Sequence, residues 1–338
     1  MNNYKKIAIT ALGGCLAVTS ANAVDVTASG ASEAGYSWSS GGNSGSASNV
    51  FGAQTNVAFK ASGELDNGWT VSTVYGAKGS WALSSSNVSI DTGSLGTFRI
   101  NRLGAAATNG NDDILPTAWE EANDSASHSV AGMPVADALT SGSLAYISPA
   151  IDLAGASITV YADYDPAANV AGANVGATPA KASATGSGVG VGFKATMAGL
   201  TIAGAHVTVE SEKVTASGAD GSDEQNAMGQ IIYNAGPFSI GYGEWDKNAK
   251  DGANDYSAVG MSIAFNVNDD LSVSYGEIED SKDSKSGSTA VDAEIKSIQA
   301  AYTMGSIAVK VKRVESDNVN FVTGKSQENS EISLSFTF

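Results

Sequence analysis

Residues 329–338 read NSEISLSFTF, and this stretch decides the fold. Four apolar side chains alternate with four polar ones: Ile332, Leu334, Phe336 and Phe338 against Glu331, Ser333, Ser335 and Thr337. Successive side chains of a β-strand point to opposite faces, so the segment is predicted to be a strand with one apolar and one polar face. The last residue is an aromatic one on the apolar face.

The same two-residue period recurs along the chain, separated by turns. It is clear on both sides of Asp66-Asn67-Gly68, and Asn-Gly between two alternating runs favours a β-hairpin. Further tight turns are predicted at residues 92–95, 235–237, 268–270 and 304–305. Longer segments rich in Gly, Ser, Asn and Asp separate other runs: residues 39–49, 166–187 and 246–255. The runs number about sixteen, and an even count with short turns alternating with long loops is typical of a transmembrane β-barrel.

Two predicted strands alternate weakly, at residues 84–91 and 200–210. In the second, Ala203, Ala205, Val207 and Val209 compete with Leu200 and Ile202 for the lipid-facing side. Aromatic residues near predicted strand ends are expected to form the interfacial girdles of such a barrel. They are Tyr36, Trp38, Trp69, Tyr75, Tyr233, Tyr242, Trp245, Tyr256 and Tyr275.

Residues 1–23 are predicted to be a cleaved signal peptide, followed by a single barrel domain at 24–338. Lys5 and Lys6 precede an apolar stretch of residues 7–18, and Ala21-Asn22-Ala23 resembles a cleavage site. The apolar stretch is too short to span a bilayer as a helix. Leu12-Gly13-Gly14-Cys15 offers an alternative, a lipoprotein box. Cys15 is the only cysteine, so the mature chain would have no disulfide and no thiolate metal site.

The charge of the chain is strongly negative, at −17. Cleavage after residue 23 would remove Lys5 and Lys6 and no acidic residue, which makes the mature chain −19. This charge argues against nucleic acid as a partner, since phosphates require a basic surface. An acidic surface attracts cations instead.

Three local strings, together with the terminal Phe338, resemble the general, diffusive porins of Gram-negative outer membranes. The strings are residues 64–69 (ELDNGW), 95–102 (LGTFRINR) and 144–149 (LAYISP). The resemblance implies an all-β fold: a trimeric, antiparallel, 16-stranded barrel with short periplasmic turns, long extracellular loops and a third loop folded into the lumen. It also implies contact with outer-membrane lipid and lipopolysaccharide, passage of small hydrophilic solutes and ions, and an assembly machinery that reads Phe338.

The longest break in the alternation, residues 103–142, is the predicted constriction loop. A structureless loop of this length is uncommon unless it is functional or disordered. In the porins that the chain resembles, loop acids face basic residues on the barrel wall, and such charges set ion selectivity. The acidic candidates are Asp112, Asp113, Glu120, Glu121 and Asp124, and the basic candidates are Arg99, Arg102, Lys60, Lys310 and Lys312. A solvated acidic loop without a role in the pore is the alternative.

Two features near the arginines depart from the expected pattern. Asn101 stands where the family usually has Gly, immediately before Arg102. Strict alternation would also place Arg102 on the side of Phe98 and Ile100, so a bulge or strand end must redirect it.

Cofactor and catalytic motifs are weak. Acidic clusters at Asp220, Asp223 and Glu224, or at Asp251 and Asp255, could bind Ca²⁺, but they lack the spacing of an EF-hand. Gly188, Gly190 and Gly192 are predicted to share one strand face rather than form a dinucleotide loop. His128 and His206 are far apart and lie in no catalytic motif. A passive porin is therefore predicted, and an exported β-solenoid or adhesin, or a barrel enzyme, remain the alternatives.

Overall fold

The computed structural model describes most of the predicted barrel domain. The described residues are 24–41, 49–79, 81–104, 106–111, 114–131, 133, 139, 141–168, 186–210, 223–249, 254–284 and 290–338. The predicted signal peptide, residues 1–23, lies outside them and remains a prediction. Within the described ranges, no helix is both long enough and apolar enough to cross a membrane.

Within these described ranges, seventeen strands form one antiparallel sheet. They are β1 (Asp25–Ser40), β2 (Asn49–Glu64), β3 (Thr70–Lys78), β4 (Ala82–Asp91), β5 (Thr97–Leu103), β6 (Leu144–Ile147), β7 (Ile151–Leu153), β8 (Ala156–Asp165), β9 (Gly188–Met197), β10 (Leu200–Val209), β11 (Glu224–Ala235), β12 (Phe238–Asn248), β13 (Asp255–Asn266), β14 (Leu271–Asp283), β15 (Ala293–Met304), β16 (Ile307–Asp317) and β17 (Gln327–Thr337).

The sheet closes on itself, because β1 pairs with both β2 and β17. β6 and β7 both pair with β8 and are the two halves of one interrupted strand. The interruption falls at Pro149, which has no N–H to donate to a β-ladder. The predicted barrel of sixteen strands is therefore confirmed, with one strand split in two. Both weakly alternating segments form strands, β4 and β10.

The closing strand β17 has the two faces predicted from its sequence. Ile332, Leu334 and Phe336 are exposed on the outside, whereas Ser333 and Ser335 are buried on the inside. Phe338 extends the ladder past the end of β17: its N–H donates to the carbonyl of Gly30 at 3.0 Å, and its carbonyl accepts from the N–H of Gly30 at 2.8 Å. The Phe338 ring lies over Gly30, where an added Cβ would come within 2.7 Å of the ring.

The inner face of the barrel is not polar throughout. Apolar side chains of β10, β14, β15 and β16 point inward and are buried; Val207, Ile278, Ile295 and Val314 are at most 2% exposed. They form one cluster with residues of the loop between β5 and β6 (residues 104–143, the long loop), such as Val130 and Leu139. This packing explains the weak alternation of β10, because one of its faces meets lipid and the other meets the loop.

Two of the predicted girdle aromatics lie inside the barrel instead. Trp245 is 1% exposed and belongs to the internal apolar cluster. Tyr256 is half-buried and packs on the ring of Phe321, with centroids 5.9 Å apart. Inward and outward side chains alternate along both strands, as predicted. These two aromatic rings are on the inward face because other residues cover that face there. Six of the other predicted aromatics are exposed: Trp38, Trp69, Tyr75, Tyr233, Tyr242 and Tyr275.

Candidate functional site: the lumen and its long loop

The described part of the long loop packs against the inner face of the barrel, and its first attachment is to β8. Asp163, a buried inward-facing residue of β8, accepts hydrogen bonds from the backbone N–H groups of Ala107 and Thr108, each at 2.8 Å. The Thr108 hydroxyl donates a third bond to the same carboxylate at 2.7 Å. A single 3₁₀ turn at Thr108–Asn111 follows. The Asp163 carboxylate thus satisfies the donors that open this turn.

Glycines on the inner face of β9 make room for the loop. A Cβ at Gly188 would lie 2.4 Å from Leu139 of the loop, and one at Gly190 would lie 2.9 Å from the Thr108 hydroxyl. Glycine therefore recurs at every second position from Gly188 to Gly192 of β9 because the long loop packs closely against the inner face of that strand. The prediction that these glycines share one strand face is confirmed by the strand β9.

The middle of the loop is held by β14 and β15. The N–H of Ala118 donates to the hydroxyl of Ser274 at 2.8 Å. The side-chain oxygen of Gln299 accepts from the N–H groups of Trp119 and Glu120, each at 3.0 Å, and its amide group donates to the Glu120 carbonyl at 2.8 Å. Gln299 is buried, so it orients the Trp119–Glu120 peptide by three hydrogen bonds without exposing its own amide to solvent.

Glu120 makes an ion pair with Lys312 on the same wall that holds the loop. The Lys312 side chain is 1% exposed, and its Nζ also lies 3.6 Å from a carboxylate oxygen of Glu331. The ring of Trp119 covers this ammonium at 4.6 Å from the centroid. Two predicted members of the charged site are therefore in contact, rather than facing each other across an opening.

Lys310 lies two residues along β16, on the same inward face. Its Nζ is 3.6 Å from Glu33 of β1 and 5.2 Å from the Trp119 ring centroid. Glu33 also accepts a hydrogen bond from Ser333 of β17. A cavity of about 250 Å³ opens beside this group, and its lining includes Glu33, Gln54, Glu120 and Glu331. This part of the lumen is the candidate functional site.

The other basic candidates lie on the first five strands. Arg99 is half-buried on β5 and close enough to Asp163 for an electrostatic interaction. Asn101 pairs with Asn87 and Leu103 with Ser86, so Arg102 is the extra residue of a β-bulge. Of the two alternatives that the sequence left open for Arg102, a bulge or a strand end, the structure shows a bulge, one residue before the end of β5. Lys60 is an exposed residue of β2, in the same alternating set as Gln54.

The structure describes some of the remaining acidic candidates and not others. Glu121 and Asp124 are half-buried residues of the loop. Asp112 and Asp113 lie outside the described residues, so their positions in the lumen remain a prediction. Asp220 and Asp251, from the two candidate Ca²⁺ clusters, also lie outside them. Among the residues that are described, no three acidic, His or Cys side chains come together as a metal site.

His128, near the end of the acidic segment, is buried with both ring nitrogens occupied. Its Nε2 lies 2.7 Å from Asp280 of β14, and its Nδ1 accepts from the N–H of Asn320 at 3.1 Å. A His–Asp pair resembles part of a hydrolase triad, but the second nitrogen must be open to a nucleophile for that chemistry. Here a backbone N–H fills that place. His206, the second histidine, is exposed on the opposite face of β10 from Val207.

Several residues of the site were not among the sequence-based candidates. Glu33 and Glu331 are polar residues of alternating strands, and nothing in their spacing singles them out. Asp163 and Gln299 accept hydrogen bonds from backbone N–H groups of the long loop. Any residue type supplies such a group, so no local sequence motif marks the contact. Alternation alone does place all four on the inner face, and that face is the signal that could have found them.

The comparisons with known proteins agree with this geometry. A family model described as Gram-negative porin matches residues 8–319. The chain is a Gram-negative porin. No curated protein sequence matches it.

Solved porin structures share the fold at low sequence identity. OmpF of Salmonella typhi in complex with daunomycin is 13% identical, with a TM-score of 0.68, and the match covers 93% of this chain and 97% of OmpF. OmpT of Vibrio cholerae is 12% identical, with a TM-score of 0.65 and coverage of 95% and 99%. A mutant of the Rh. blastica porin is 14% identical, with a TM-score of 0.58 and coverage of 93% and 100%.

Family and fold together establish the activity. This porin is an outer-membrane β-barrel channel for passive diffusion. They indicate a channel rather than an enzyme.

Proposed function

We propose that this porin conducts small hydrophilic solutes and ions with a mild preference for cations. The observation that carries the proposal is the charge balance of the candidate site. Three carboxylates, those of Glu33, Glu120 and Glu331, line the cavity, and among the described residues the ammonium groups paired with them are the two of Lys310 and Lys312. Both ammonium groups are within ion-pair distance of these carboxylates, so the site keeps an excess of negative charge.

The loop acids add to this excess in the proposal. Asp112, Asp113, Glu120, Glu121 and Asp124 belong to one segment of the chain, and Glu120 of that segment lines the cavity. Arg99, Arg102 and Lys60, on β5 and β2, would supply the opposing positive side. An unpaired charge acts on an ion 4–8 Å away with about 0.5–1 kcal/mol in water, a factor of about two to five in local concentration. The expected selectivity is accordingly modest.

Reversal potentials in a KCl gradient test this proposal. The wild type should show a K⁺ preference of about two- to five-fold over Cl⁻. Substituting four loop acids (Asp112→Asn, Asp113→Asn, Glu120→Gln and Glu121→Gln), or the two wall acids (Glu33→Gln and Glu331→Gln), should reduce it. Glu244→Gln with Glu279→Gln removes charge from the outer face, since both alternate with buried inward residues, and should leave it unchanged. Anion preference in the wild type would refute the proposal.

A homotrimer is proposed as the working form. The trimer form of OmpT from Vibrio cholerae has this fold, with a TM-score of 0.66. On this chain, the outward-facing hydroxyls of Ser32 and Thr55 bond to each other at 2.9 Å on neighbouring strands, an arrangement compatible with a protein neighbour as well as with lipid. Unboiled protein should migrate on a gel at the mass of three chains; migration as a single chain in several mild detergents would exclude a stable trimer.

We also propose two contacts of this porin, one with lipopolysaccharide and one between Phe338 and the barrel-assembly machinery. The exposed apolar outer face supports the first of these. The terminal aromatic residue, held in the closing ladder against Gly30, supports the second.

A further inference from the structure

The indole ring of Trp119 lies over both lysines of the inner face of β16. The Nζ atom of Lys312 is 4.6 Å from the ring centroid, and that of Lys310 is 5.2 Å from it. Both distances are within the range of about 6 Å in which an ammonium is attracted to an aromatic ring. One ring therefore contacts both positive charges beside the cavity of the candidate site.

Three backbone hydrogen bonds fix the segment that carries Trp119. The N–H groups of Trp119 and Glu120 both donate to Gln299 Oε1 at 3.0 Å. The N–H of the preceding residue, Ala118, donates to the Ser274 hydroxyl at 2.8 Å. Both acceptors are buried on the barrel wall. Because the backbone is bonded to the wall at three successive residues, the ring has little freedom to move away from the lysines.

Carboxylates adjoin the same two ammonium groups. Lys312 forms an ion pair with Glu120 and lies 3.6 Å from Glu331, and Lys310 lies 3.6 Å from Glu33. The side chain of Lys312 is 1% exposed and that of Lys310 is 21% exposed. The ammonium groups are therefore enclosed between acids and the indole ring, and Lys310 keeps the larger exposed surface.

The cavity beside this group is lined by the acids and not by the lysines. Its lining includes Glu33, Glu120 and Glu331, and neither Lys310 nor Lys312 is among the described residues that form it. The other described residues of the lining are uncharged. An ion in the cavity therefore meets three carboxylates directly. The attraction between an anion and an ammonium falls with distance, so an anion gains little from a lysine that it cannot approach.

We propose that Trp119 is a selectivity residue of the channel, because its ring keeps permeating anions away from the ammonium groups of Lys310 and Lys312. The lysines then reduce the negative charge of the site without offering an anion a place of close approach. This inference rests on the proposed cation preference and assigns part of it to an uncharged residue.

Reversal potentials in a KCl gradient test the effect of Trp119 on permeation. Trp119→Ala uncovers the lysines, so the K⁺ preference should fall by about two- to five-fold, the factor for one charge acting on an ion 4–8 Å away in water. Trp119→Phe keeps an aromatic ring and should remain near the wild type. Trp69→Ala removes an exposed tryptophan from the turn before β3 and should leave the preference unchanged.

A wider passage would also weaken the selectivity, and a lysine variant separates the two causes. In a Lys310→Met background, Trp119→Ala has one ammonium fewer to uncover. It should therefore lower the K⁺ preference less than it does in the wild-type background. An equal fall in both backgrounds would indicate widening alone and would overturn the proposal.

Reductive methylation of the folded protein with formaldehyde measures the cover without recording any current. The methylation rate of Lys310, followed by mass spectrometry, should rise roughly three-fold or more in Trp119→Ala, because the ring no longer occupies one side of the ammonium. Lys60, an exposed residue of β2, should keep its wild-type rate. Heat-modifiable gel migration confirms that each variant is folded.

Trp119→Leu is the second variant if alanine disturbs folding. Leucine keeps an apolar side chain at the site but is too small to cover both lysines, so it should raise the Lys310 rate in the same direction. Unchanged Lys310 rates in the folded variants, or an unchanged K⁺ preference in Trp119→Ala, would overturn the proposal. Anion preference of the wild type together with a raised Lys310 rate would contradict the proposed function while supporting the cover by Trp119.

Discussion

Deletion of Phe338 will reduce the yield of folded barrel by roughly ten-fold or more, because it leaves both backbone groups of Gly30 without their partners. In lipid, each unpaired backbone group costs several kcal/mol, and here the loss falls on the ladder that closes the barrel. The deletion also removes the ring that covers Gly30. The measurement is the fraction of heat-modifiable protein in the outer membrane, relative to total protein.

Two further variants separate the ladder from the aromatic ring. Phe338→Ser keeps the backbone hydrogen bonds and loses the ring, whereas Phe336→Ser loses a neighbouring ring of the same outer face, at a centroid distance of 6.0 Å. If the terminal aromatic is read during assembly, Phe338→Ser will behave like the deletion and Phe336→Ser will be nearer the wild type. Equal yields for the deletion and the wild type would contradict the role of this residue.

Replacing Lys312 by Met will destabilise the long loop and increase the cation preference. Lys312 is 1% exposed and lies between Glu120 and Glu331. Breaking a buried ion pair typically costs 3–5 kcal/mol, and about 3 kcal/mol is expected here because Glu120 is one-third exposed. The freed carboxylates should raise the K⁺ preference by about two- to five-fold. Reversal potentials and the noise of the open channel measure the two effects.

The double variant Lys312→Met with Glu120→Gln is the matched control. It removes the charge that Lys312 had compensated, so loop stability and selectivity should both return toward the wild-type values. Lys310→Met is a milder comparison, because Lys310 is more exposed, at 21%, and lies 3.6 Å from Glu33. A single Lys312 variant with the selectivity of the wild type would contradict the assignment of this ion pair to the pore.

Alternation predicted the barrel because it reports directly on the outer face. Residues such as Ile332 and Leu334 meet lipid on the outer face, so the two-residue period is clear in most strands and weak in β4 and β10. The same alternation puts Lys310 and Lys312 on the inner face of β16. Alternation also predicted a bulge or a strand end at Arg102, because a charged side chain there would otherwise lie on the apolar face with Phe98 and Ile100.

The interior could not be predicted in the same way, since it depends on contacts between residues far apart in sequence. The inner face can carry apolar residues such as Val207 and Trp245 because residues of the long loop pack against them and exclude water. Whether Lys312 faces an opening or a loop carboxylate depends on Gln299, which fixes the Glu120 backbone from 179 residues away. No local pattern encodes such a contact.

The account as a whole depends on the outer stripe facing lipid and on part of the inner face lining a water-filled passage. Single-channel recording of the purified protein in a planar bilayer tests this most directly. We predict stepwise, ohmic conductance increments that grow with salt concentration. Failure of the folded barrel to conduct, or solubility as a monodisperse species without detergent, would contradict it.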